Sequence, residues 1–192
     1  DSAFNLAQVI ASMLGERIAR ITETHFTTGD NSSKPQGITV GAGAGVTAAA
    51  TGAVTADELI DLQDALDGSY ESFASVGWMM NKATRSAVRK LKDSDNQYLW
   101  QSGLQLGVPD TLLGQPVALN YTMASMAASA VPILYGAFEK YVIRDGSQAR
   151  FYRLAERYGD NDQTGFILFS RHDGRVLDAG TDPIIKLTMA AS

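Results

Sequence analysis

The two histidines are the side chains of this sequence best suited to acid–base or metal chemistry, but their surroundings favour neither role. His25 ends a long amphipathic segment, where the negative end of a helix dipole favours a protonated imidazole. His172 lies beside Asp173-Gly174, a predicted turn between two strands. No H-x-x-x-H or H-E-x-x-H spacing exists, and the chain has no cysteine, so a zinc site is not predicted. We therefore interpret both histidines as surface or capping residues.

Two further patterns approach known functional motifs and fail on spacing. Residues 41–46 place valine where G-x-G-x-x-G requires its third glycine, and no helix is predicted to begin between this run and Thr55. Residues 73–77 lack the first glycine of a nucleophile elbow. Four acids of one predicted helix are interpreted as its solvated face rather than as metal ligands, namely Asp57, Glu58, Asp61 and Asp64. The sequence thus predicts no catalytic, cofactor-binding or metal-binding residue.

The composition is that of an ordinary globular protein. The chain has 192 residues, of which 45% are hydrophobic, enough for one good core or two small ones. No run approaches the roughly 20 consecutive apolar residues that a membrane span needs. The formal net charge of −5 argues against a dedicated nucleic-acid-binding domain. The absence of cysteine excludes disulfides and thiolate chemistry.

The first part of the chain is predicted to form a long helix followed by a loop. Residues 3–24 carry an apolar stripe at helical spacing and would span roughly 33 Å. The stripe consists of Leu6, Ile10, Leu14, Ile18 and Ile21, widened by Val9 and Met13. Residues 38–52 contain almost only glycine, alanine, valine and threonine, which predicts a flexible loop or linker. Thr55 and Glu58 then form a capping box for a second helix.

The middle of the chain predicts a strand, a helix and a second strand. Val76–Met80 is a short apolar run, and Asn81 is a good N-cap for the helix that follows. Residues 112–119 are predicted to form a strand interrupted at Gly114 and Pro116. The large aromatic side chains of this region are expected in a core rather than at a contact surface, namely Trp78, Tyr98 and Trp100.

The last third of the chain is predicted to be rich in strands. Six strand candidates follow Pro132, at residues 133–138, 141–144, 148–154, 165–170, 176–177 and 184–189. Asp173-Gly174 predicts a hairpin turn between the candidates at residues 165–170 and 176–177.

Several motifs occur in an order that resembles the major capsid proteins of tailed bacteriophages, whose fold is shared with herpesvirus capsid and encapsulin shell proteins. Residues 26–38 resemble the turn F-x-x-G-D…P-x-G-I, which follows the family's long spine helix. Residues 76–117 carry VGWMMN, RKLKD, QYLW and PDTLLGQPV in order. Residues 135–145 resemble Y-G-D-F…Y-x-I-x-D, with Ala137 in place of the acid, and residues 183–187 resemble the terminal strand.

The resemblance implies an α+β fold with a spine helix, a peripheral β-hairpin domain and a mixed α/β axial domain. The implied boundaries are 1–38 for the first peripheral part, 39–145 for the axial domain, 146–178 for the second peripheral part and 179–192 for a terminal strand that returns to the axial domain. Family members carry an N-terminal arm and an extended E-loop before the spine helix. Because this chain starts at that helix, we expect both segments to be missing and the natural protein to be longer.

The implied function is structural, in a major capsid protein that forms hexamers and pentamers of an icosahedral phage or prophage head. The chain would contact copies of itself and enclose double-stranded DNA without sequence-specific binding, with no membrane partner. Scaffold, portal and maturation protease are further candidate partners. The location would be the virion, assembled in the host bacterial cytoplasm. The expected subunit contacts are Glu16, Arg17 and Arg20 on the spine helix and Arg171, His172, Asp173 and Arg175 on the predicted hairpin.

Some capsids of this family cross-link themselves through a lysine on the E-loop, an asparagine and a nearby glutamate. In this chain the asparagine position falls at or next to Gly165, and no glutamate follows Glu156. The cross-linking activity is therefore not expected here. Two alternatives stay open at this level, an encapsulin-like compartment shell and a small cytosolic enzyme or binding module.

Overall fold

The protein combines one long helix, a six-stranded mixed sheet and two separate antiparallel strand pairs. A computed structural model describes residues 6–92, 95–98, 110–146, 149–154, 156–161, 163–178 and 180–191. The helices are α1 (Leu6–Thr28), α2 (Ile38–Gly41), α3 (Ala56–Asp64), α4 (Gly68–Glu71) and α5 (Lys82–Val88), with 3₁₀ turns at Phe138–Lys140 and Gly159–Asn161. The strands are β1 (Gly43–Thr47), β2 (Val76–Met80), β3 (Thr111–Leu112), β4 (Gln115–Leu119), β5 (Ile133–Ala137), β6 (Tyr141–Asp145), β7 (Arg150–Leu154), β8 (Gly165–Phe169), β9 (His172–Val176) and β10 (Ile184–Thr188).

The six-stranded sheet has the strand order β1-β10-β5-β2-β4-β3. The terminal strand β10 lies between β1, to which it is parallel, and β5, to which it is antiparallel. Strands β2 and β4 are parallel, and α5 lies between them in the chain. The last strand of the chain is therefore an interior strand of this sheet.

The main core lies between one face of the sheet and helices α3, α4 and α5. Trp78 is fully buried at its centre and packs against Tyr135, with the ring centroids 4.4 Å apart. The Trp78 indole N–H donates to the Leu112 carbonyl at 2.9 Å, which satisfies its polar atom inside the core. The expectation that Trp78 is a core residue is confirmed. Tyr98, in contrast, is 62% exposed, so the same expectation is wrong for it, and Trp100 lies outside the described residues.

The predicted helix starts in the middle of the chain are confirmed. The Thr55 hydroxyl accepts from the Glu58 N–H, and the Glu58 carboxylate accepts from the Thr55 N–H at 2.8 Å. The Asn81 side chain accepts from the Thr84 N–H at 2.7 Å and donates to the Met123 carbonyl at 3.0 Å. Both caps satisfy N–H groups that a helix leaves unpaired at its first turn.

The long helix α1 is present and runs four residues further than predicted, to Thr28. Its apolar stripe, however, is not buried as a unit. Ile10, Leu14 and Ile18 are half-buried, whereas Leu6 is 62% exposed and Ile21 is 55% exposed. The two residues that widen the stripe, Val9 and Met13, are also exposed. A helix of 23 residues spans roughly 35 Å, longer than the elements that pack against it here, so only part of its surface is covered.

The loop predicted for residues 38–52 is wrong, because this segment contains α2 and the edge strand β1. Its small residues allow close packing rather than flexibility. A Cβ at Gly45 would lie 2.6 Å from the Leu62 side chain and 2.9 Å from the Lys186 carbonyl. A Cβ at Gly43 would collide with the Asp182 carboxyl group. Glycine is needed at both positions for β1 to pair with β10 beneath α3.

The hairpin turn predicted at Asp173-Gly174 is also wrong. Both residues lie inside β9, which pairs antiparallel with β6 in the register Arg144↔Asp173 and Ile143↔Gly174. The glycine is explained by packing, since a Cβ at Gly174 would lie 2.5 Å from the Tyr141 hydroxyl oxygen. The pairing also joins residues 141–145, which the sequence assigned to the axial part, to a strand of the second peripheral part.

Candidate functional site

The predicted contact residues on α1 form an exposed charged surface. Arg20 pairs with Glu16 one helical turn away, and the two side chains are 77% and 64% exposed. Arg17 is exposed on the same helix. An exposed pair of this kind contributes at most about 0.5 kcal/mol to stability, because water screens it and both side chains lose freedom. These charges are therefore available for contacts with another molecule.

The predicted contact residues on β9, together with Arg171 just before it, comprise three exposed side chains and one partly buried histidine. Arg171, Asp173 and Arg175 are exposed, as expected for a contact surface. The His172 Nδ1 lies 2.6 Å from the Asp145 carboxylate across the β6–β9 ladder, and its ring meets Phe26 edge-on at 6.3 Å. Its Nε2 is buried and has no hydrogen-bond partner in the part of the chain that the structure describes. His172 therefore helps to hold α1 against β9 and is less accessible than its neighbours.

The structure does not bring the two predicted groups into one site. A groove of about 480 Å³ separates α1 from β9, and it is lined by Ile18, Ile21, His25, Arg171 and His172 among others. None of the three predicted α1 contact residues lines this groove. Arg171 and His172 do line it, so this groove includes members of only one of the two predicted groups.

A second, larger groove follows α1, with a volume of about 670 Å³. Its wall is mostly apolar and includes Ile18, Phe26, Met79, Ile143 and Leu168. Around the end of α1 the elements are joined by polar contacts: Asn120 donates to the Thr27 hydroxyl at 2.9 Å, and Thr39 donates to the Thr27 carbonyl at 2.7 Å. These contacts fix the helix against the sheet.

Tyr141 completes this junction between α1, β6 and β9. Its hydroxyl donates to the Gln36 carbonyl at 2.8 Å, and its ring meets Phe26 edge-on at 6.4 Å. Burial, with a smaller contribution from the Asp173 charge, raises the pKa of Tyr141 to about 12. The phenol therefore stays neutral and keeps its hydrogen bond across the physiological range.

The structure also places the residues that the sequence analysis considered for metal binding and cross-linking. No group of three or more His, Cys, Asp or Glu side chains among them is arranged to hold a metal ion. Gly165, at or next to which the resemblance places the cross-linking asparagine, lies in β8 opposite Leu154, and a Cβ there would meet the Tyr158 ring at 3.0 Å. Asn161 lies four residues upstream, in an exposed 3₁₀ turn. Within the described chain, no helix is both long and apolar enough to cross a membrane.

Two charged surfaces were not predicted to be functional. We call Asp57, Asp61, Asp64 and Glu71, all exposed on α3 and α4, the acidic surface. We call Lys82, Arg89, Lys90 and Lys92, all exposed on or just after α5, the basic surface. The signal was present in the sequence as segregation of charge: residues 56–71 carry acids and no base, and residues 82–92 carry bases and no acid. The sequence predicted that the acids of α3 face solvent, and Asp57, Asp61 and Asp64 are exposed as predicted, but only the fold shows where the two surfaces lie.

Comparison with known proteins identifies relatives along the whole chain. A model of the phage capsid family matches residues 1–189. Two solved capsid structures of a GTA particle, one empty and one native, both computed with C5 symmetry, are each 31% identical to this chain. They cover 100% and 99% of this chain and 68% and 74% of their own, with TM-scores of 0.83 and 0.82.

More distant structures share the fold. The structure from Gordonia phage Cozz is 14% identical, covers 96% of this chain and 64% of its own, and has a TM-score of 0.69. The structure from Mycobacterium phage Adephagia has the same identity and TM-score over 100% of this chain. A search of curated protein sequences found no match. The solved structures named here are GTA and phage proteins, so neither an encapsulin-like shell nor a small enzyme is favoured.

Proposed function

The chain belongs to the phage capsid family and is a structural subunit of a virion head, and we propose that it builds hexamers and pentamers of an icosahedral shell around double-stranded DNA. The observation that carries this proposal is the match to a GTA capsid over the entire chain, at 31% identity and a TM-score of 0.83. A subunit that joins two different surfaces, one to each neighbour, forms a closed ring when the contact repeats around an axis, and such rings together cover a shell. Assembly is then the whole mechanism of the protein.

In this arrangement the six-stranded sheet with its helices is the axial domain, nearest the ring axis. Helix α1 and the strand pairs β6–β9 and β7–β8 are the peripheral domain. We place the boundary between β5 and β6, rather than after Asp145, because β6 pairs with β9 and not with the six-stranded sheet. The polar junction around Gln36 and Tyr141 then connects the two domains.

The exposed charges of α1 and β9 are contacts between subunits in this proposal. Support comes from their exposure and from the weakness of the Glu16–Arg20 pair, which leaves these charges available to a neighbour. Net charge −5 fits a wall that encloses DNA without binding it tightly. Assembly would take place in the host bacterial cytoplasm, with a scaffold, a portal and a maturation protease as partners.

Electron microscopy of the purified product of the complete gene tests the proposal. The expected result is closed icosahedral particles, and a product that stays monomeric at every concentration contradicts the proposal. Arg17→Ala is expected to reduce the yield of particles while leaving thermal stability unchanged. Ser12→Ala is the matched control, since Ser12 is exposed on the same helix roughly 140° around its axis.

We also propose that the protein has no catalytic activity of its own, including self-cross-linking. The glycine at position 165 lacks the amide group that the cross-link consumes. Mature heads should therefore dissociate into single subunits on a denaturing gel. A ladder at multiples of the subunit mass would overturn this part of the proposal, and Asn161→Asp would then test whether Asn161 supplies the amide.

A further inference from the structure

Acidic and basic residues are segregated among the helices that pack on the six-stranded sheet. Residues 56–71 contain six acids and no base, whereas residues 82–92 contain five bases and no acid. Two of the acids serve the fold, since Glu58 belongs to the capping box and Asp67 caps α4. The other four make up the acidic surface. The four exposed bases make up the basic surface, and these eight residues carry the inference.

The acidic surface lies over one side of the six-stranded sheet. Helix α3 contacts β1 and β10, and α4 contacts β5. Asp64 and Glu71 are close enough to Tyr135 on β5 that their negative charges add to the effect of burial in raising the pKa of its phenol. The acidic surface therefore extends from the β1 edge towards the centre of the sheet.

The basic surface lies at the opposite edge, on the same face of the sheet. Val88 of α5 belongs to the core that also contains Leu62 of α3, so both helices cover one face. Arg85 forms an ion pair with Asp110 at 2.9 Å, and Asp110 directly precedes the other edge strand, β3. Six strands place the two edges about 24 Å apart, well beyond the screening length of about 8–10 Å at ordinary salt concentrations. Charges near the β1 edge are therefore largely screened from charges near the β3 edge of the same subunit.

We propose that the acidic surface of one copy binds the basic surface of the next copy, and that this contact repeats around the ring. The inference rests on the proposed function and specifies which surfaces meet. A two-fold contact would place a surface against its own copy, which brings like charges together. A head-to-tail contact pairs opposite charges at every junction and closes a ring. The separation of the two surfaces onto opposite edges of one face is the geometry that such a ring requires.

Charge reversal on the 192-residue chain tests the contact. The acid-reversed variant is Asp61→Lys with Asp64→Lys, and the base-reversed variant is Arg89→Glu with Lys90→Glu. Sedimentation velocity in low salt should show reversible self-association of the native chain. Each variant alone should associate about tenfold more weakly or worse, because the two substitutions bring the net charge of the altered surface to zero and remove its attraction for the opposite surface. The native association should also weaken steeply as salt rises from about 0.05 to 0.5 M.

A mixture of the acid-reversed and base-reversed variants tests whether the two surfaces bind each other. In an equal mixture, the unaltered basic surface of the acid-reversed variant can meet the unaltered acidic surface of the base-reversed variant, so association between the two chains should return to within about threefold of the native value. The control is Glu156→Lys with Asp160→Lys, which raises the net charge by the same amount as the acid-reversed variant, at exposed positions remote in sequence from both surfaces. Thermal melts of all variants establish that they are folded. The control should associate like the native chain.

Three results would overturn the inference: a native chain that stays monomeric in low salt, single variants that associate normally, or a mixture that fails to recover. Failure here is distinguishable from failure of the proposed function. If the complete gene product carrying either reversed surface still forms shells at the native yield, the capsid role stands and this contact is wrong. If the unaltered product forms no shells, the capsid proposal itself has failed.

Discussion

The junction between α1, β6 and β9 predicts a specific response to one added methyl group. Gly174 lies in β9 beneath the Tyr141 ring, and a Cβ at this position would be 2.5 Å from the Tyr141 hydroxyl oxygen. The next nearest atoms are the Phe26 Cδ1 at 3.0 Å and the Tyr141 Cζ at 3.1 Å. Gly174→Ala therefore creates one severe contact, with the hydroxyl oxygen, and two tight ones.

The loss of stability caused by Gly174→Ala follows from the displacement of the Tyr141 hydroxyl oxygen and the loss of its hydrogen bond. To reach ordinary contact distance it must move by almost an ångström, which breaks its hydrogen bond to the Gln36 carbonyl. Overpacking costs about 1–3 kcal/mol, and the lost hydrogen bond about 1 kcal/mol. Replacing glycine in a strand returns about 0.5 kcal/mol through the unfolded state. We expect Gly174→Ala to lower the free energy of unfolding by about 2–3 kcal/mol.

A double-mutant cycle isolates this contact. Tyr141→Phe removes the oxygen and should cost about 1 kcal/mol alone, since it leaves the Gln36 carbonyl without this donor. The double variant should be more stable than the sum of the single effects predicts, by at least about 1 kcal/mol, because the added methyl no longer meets the oxygen.

Urea denaturation monitored by circular dichroism provides all four free energies. Gly15→Ala is the matched control, because Gly15 lies inside α1 with no atom within 4 Å of an added Cβ. It should raise stability by about 0.5–1 kcal/mol through helix propensity. Additive effects of Gly174→Ala and Tyr141→Phe would refute the reasoning, as would a Gly174→Ala variant as stable as the native chain.

Three further outcomes are expected. Leu14→Asp should destabilise the chain by about 1–2 kcal/mol in urea denaturation, because Leu14 is half-buried. Met13→Asp, at a position that is 56% exposed, should change the free energy of unfolding by less than about 0.5 kcal/mol. Equal losses would contradict the difference in burial between the two positions. Trp78→Phe should cost about 2–3 kcal/mol, from the cavity and from the Leu112 carbonyl left without its donor, and a loss below about 1 kcal/mol would contradict the buried hydrogen bond. Stability should fall as pH rises from about 10 to 12, because the raised pKa of Tyr141 keeps its phenol neutral in the folded state while the unfolded phenol already ionises. Tyr141→Phe should reduce this loss of stability with pH, as measured by thermal melts recorded at each pH.

Features of the fold that depend on neighbouring residues could be predicted from the sequence. The strand Val76–Met80, the Asn81 cap and the Thr55 capping box each depend on a few adjacent side chains, and the structure contains all three. The motif order also led to the correct family, because its turns and strands are spread along the whole chain. Local pattern and family order thus agreed before any tertiary contact was known.

Small residues were misread wherever tertiary packing decided their role. A glycine-rich run is equally compatible with a flexible loop and with a strand that lies directly under a helix, and at Gly45 the nearby Leu62 side chain decides for the strand. Asp173-Gly174 has the composition of a hairpin turn, yet the glycine is there because the Tyr141 ring lies over it. In both cases the deciding atoms come from residues that are distant in sequence, so no local rule could have found them.

The apolar stripe of α1 shows a different limit. Periodicity correctly identified a helix with an apolar side, but Leu6 and Ile21 remain exposed in the single chain. A hydrophobic pattern predicts that a surface can be buried and does not name the molecule that buries it. For the same reason, the sequence predicted that the acids of α3 are exposed but did not show where they lie relative to the bases of α5.

The strength of contacts between exposed charges suits a subunit that must assemble many times without error. Each such pair contributes about 1 kcal/mol or less, so a single junction of this type forms and breaks readily. A wrong junction that brings like charges together is penalised, and a correct one is held by the ring, because every subunit there is bound on two sides. Segregated charge at Asp61 and Lys90 therefore favours the correct neighbour while leaving misplaced subunits free to leave. An apolar contact of the same area would hold correct and incorrect neighbours alike, since burial of apolar surface has no preferred direction.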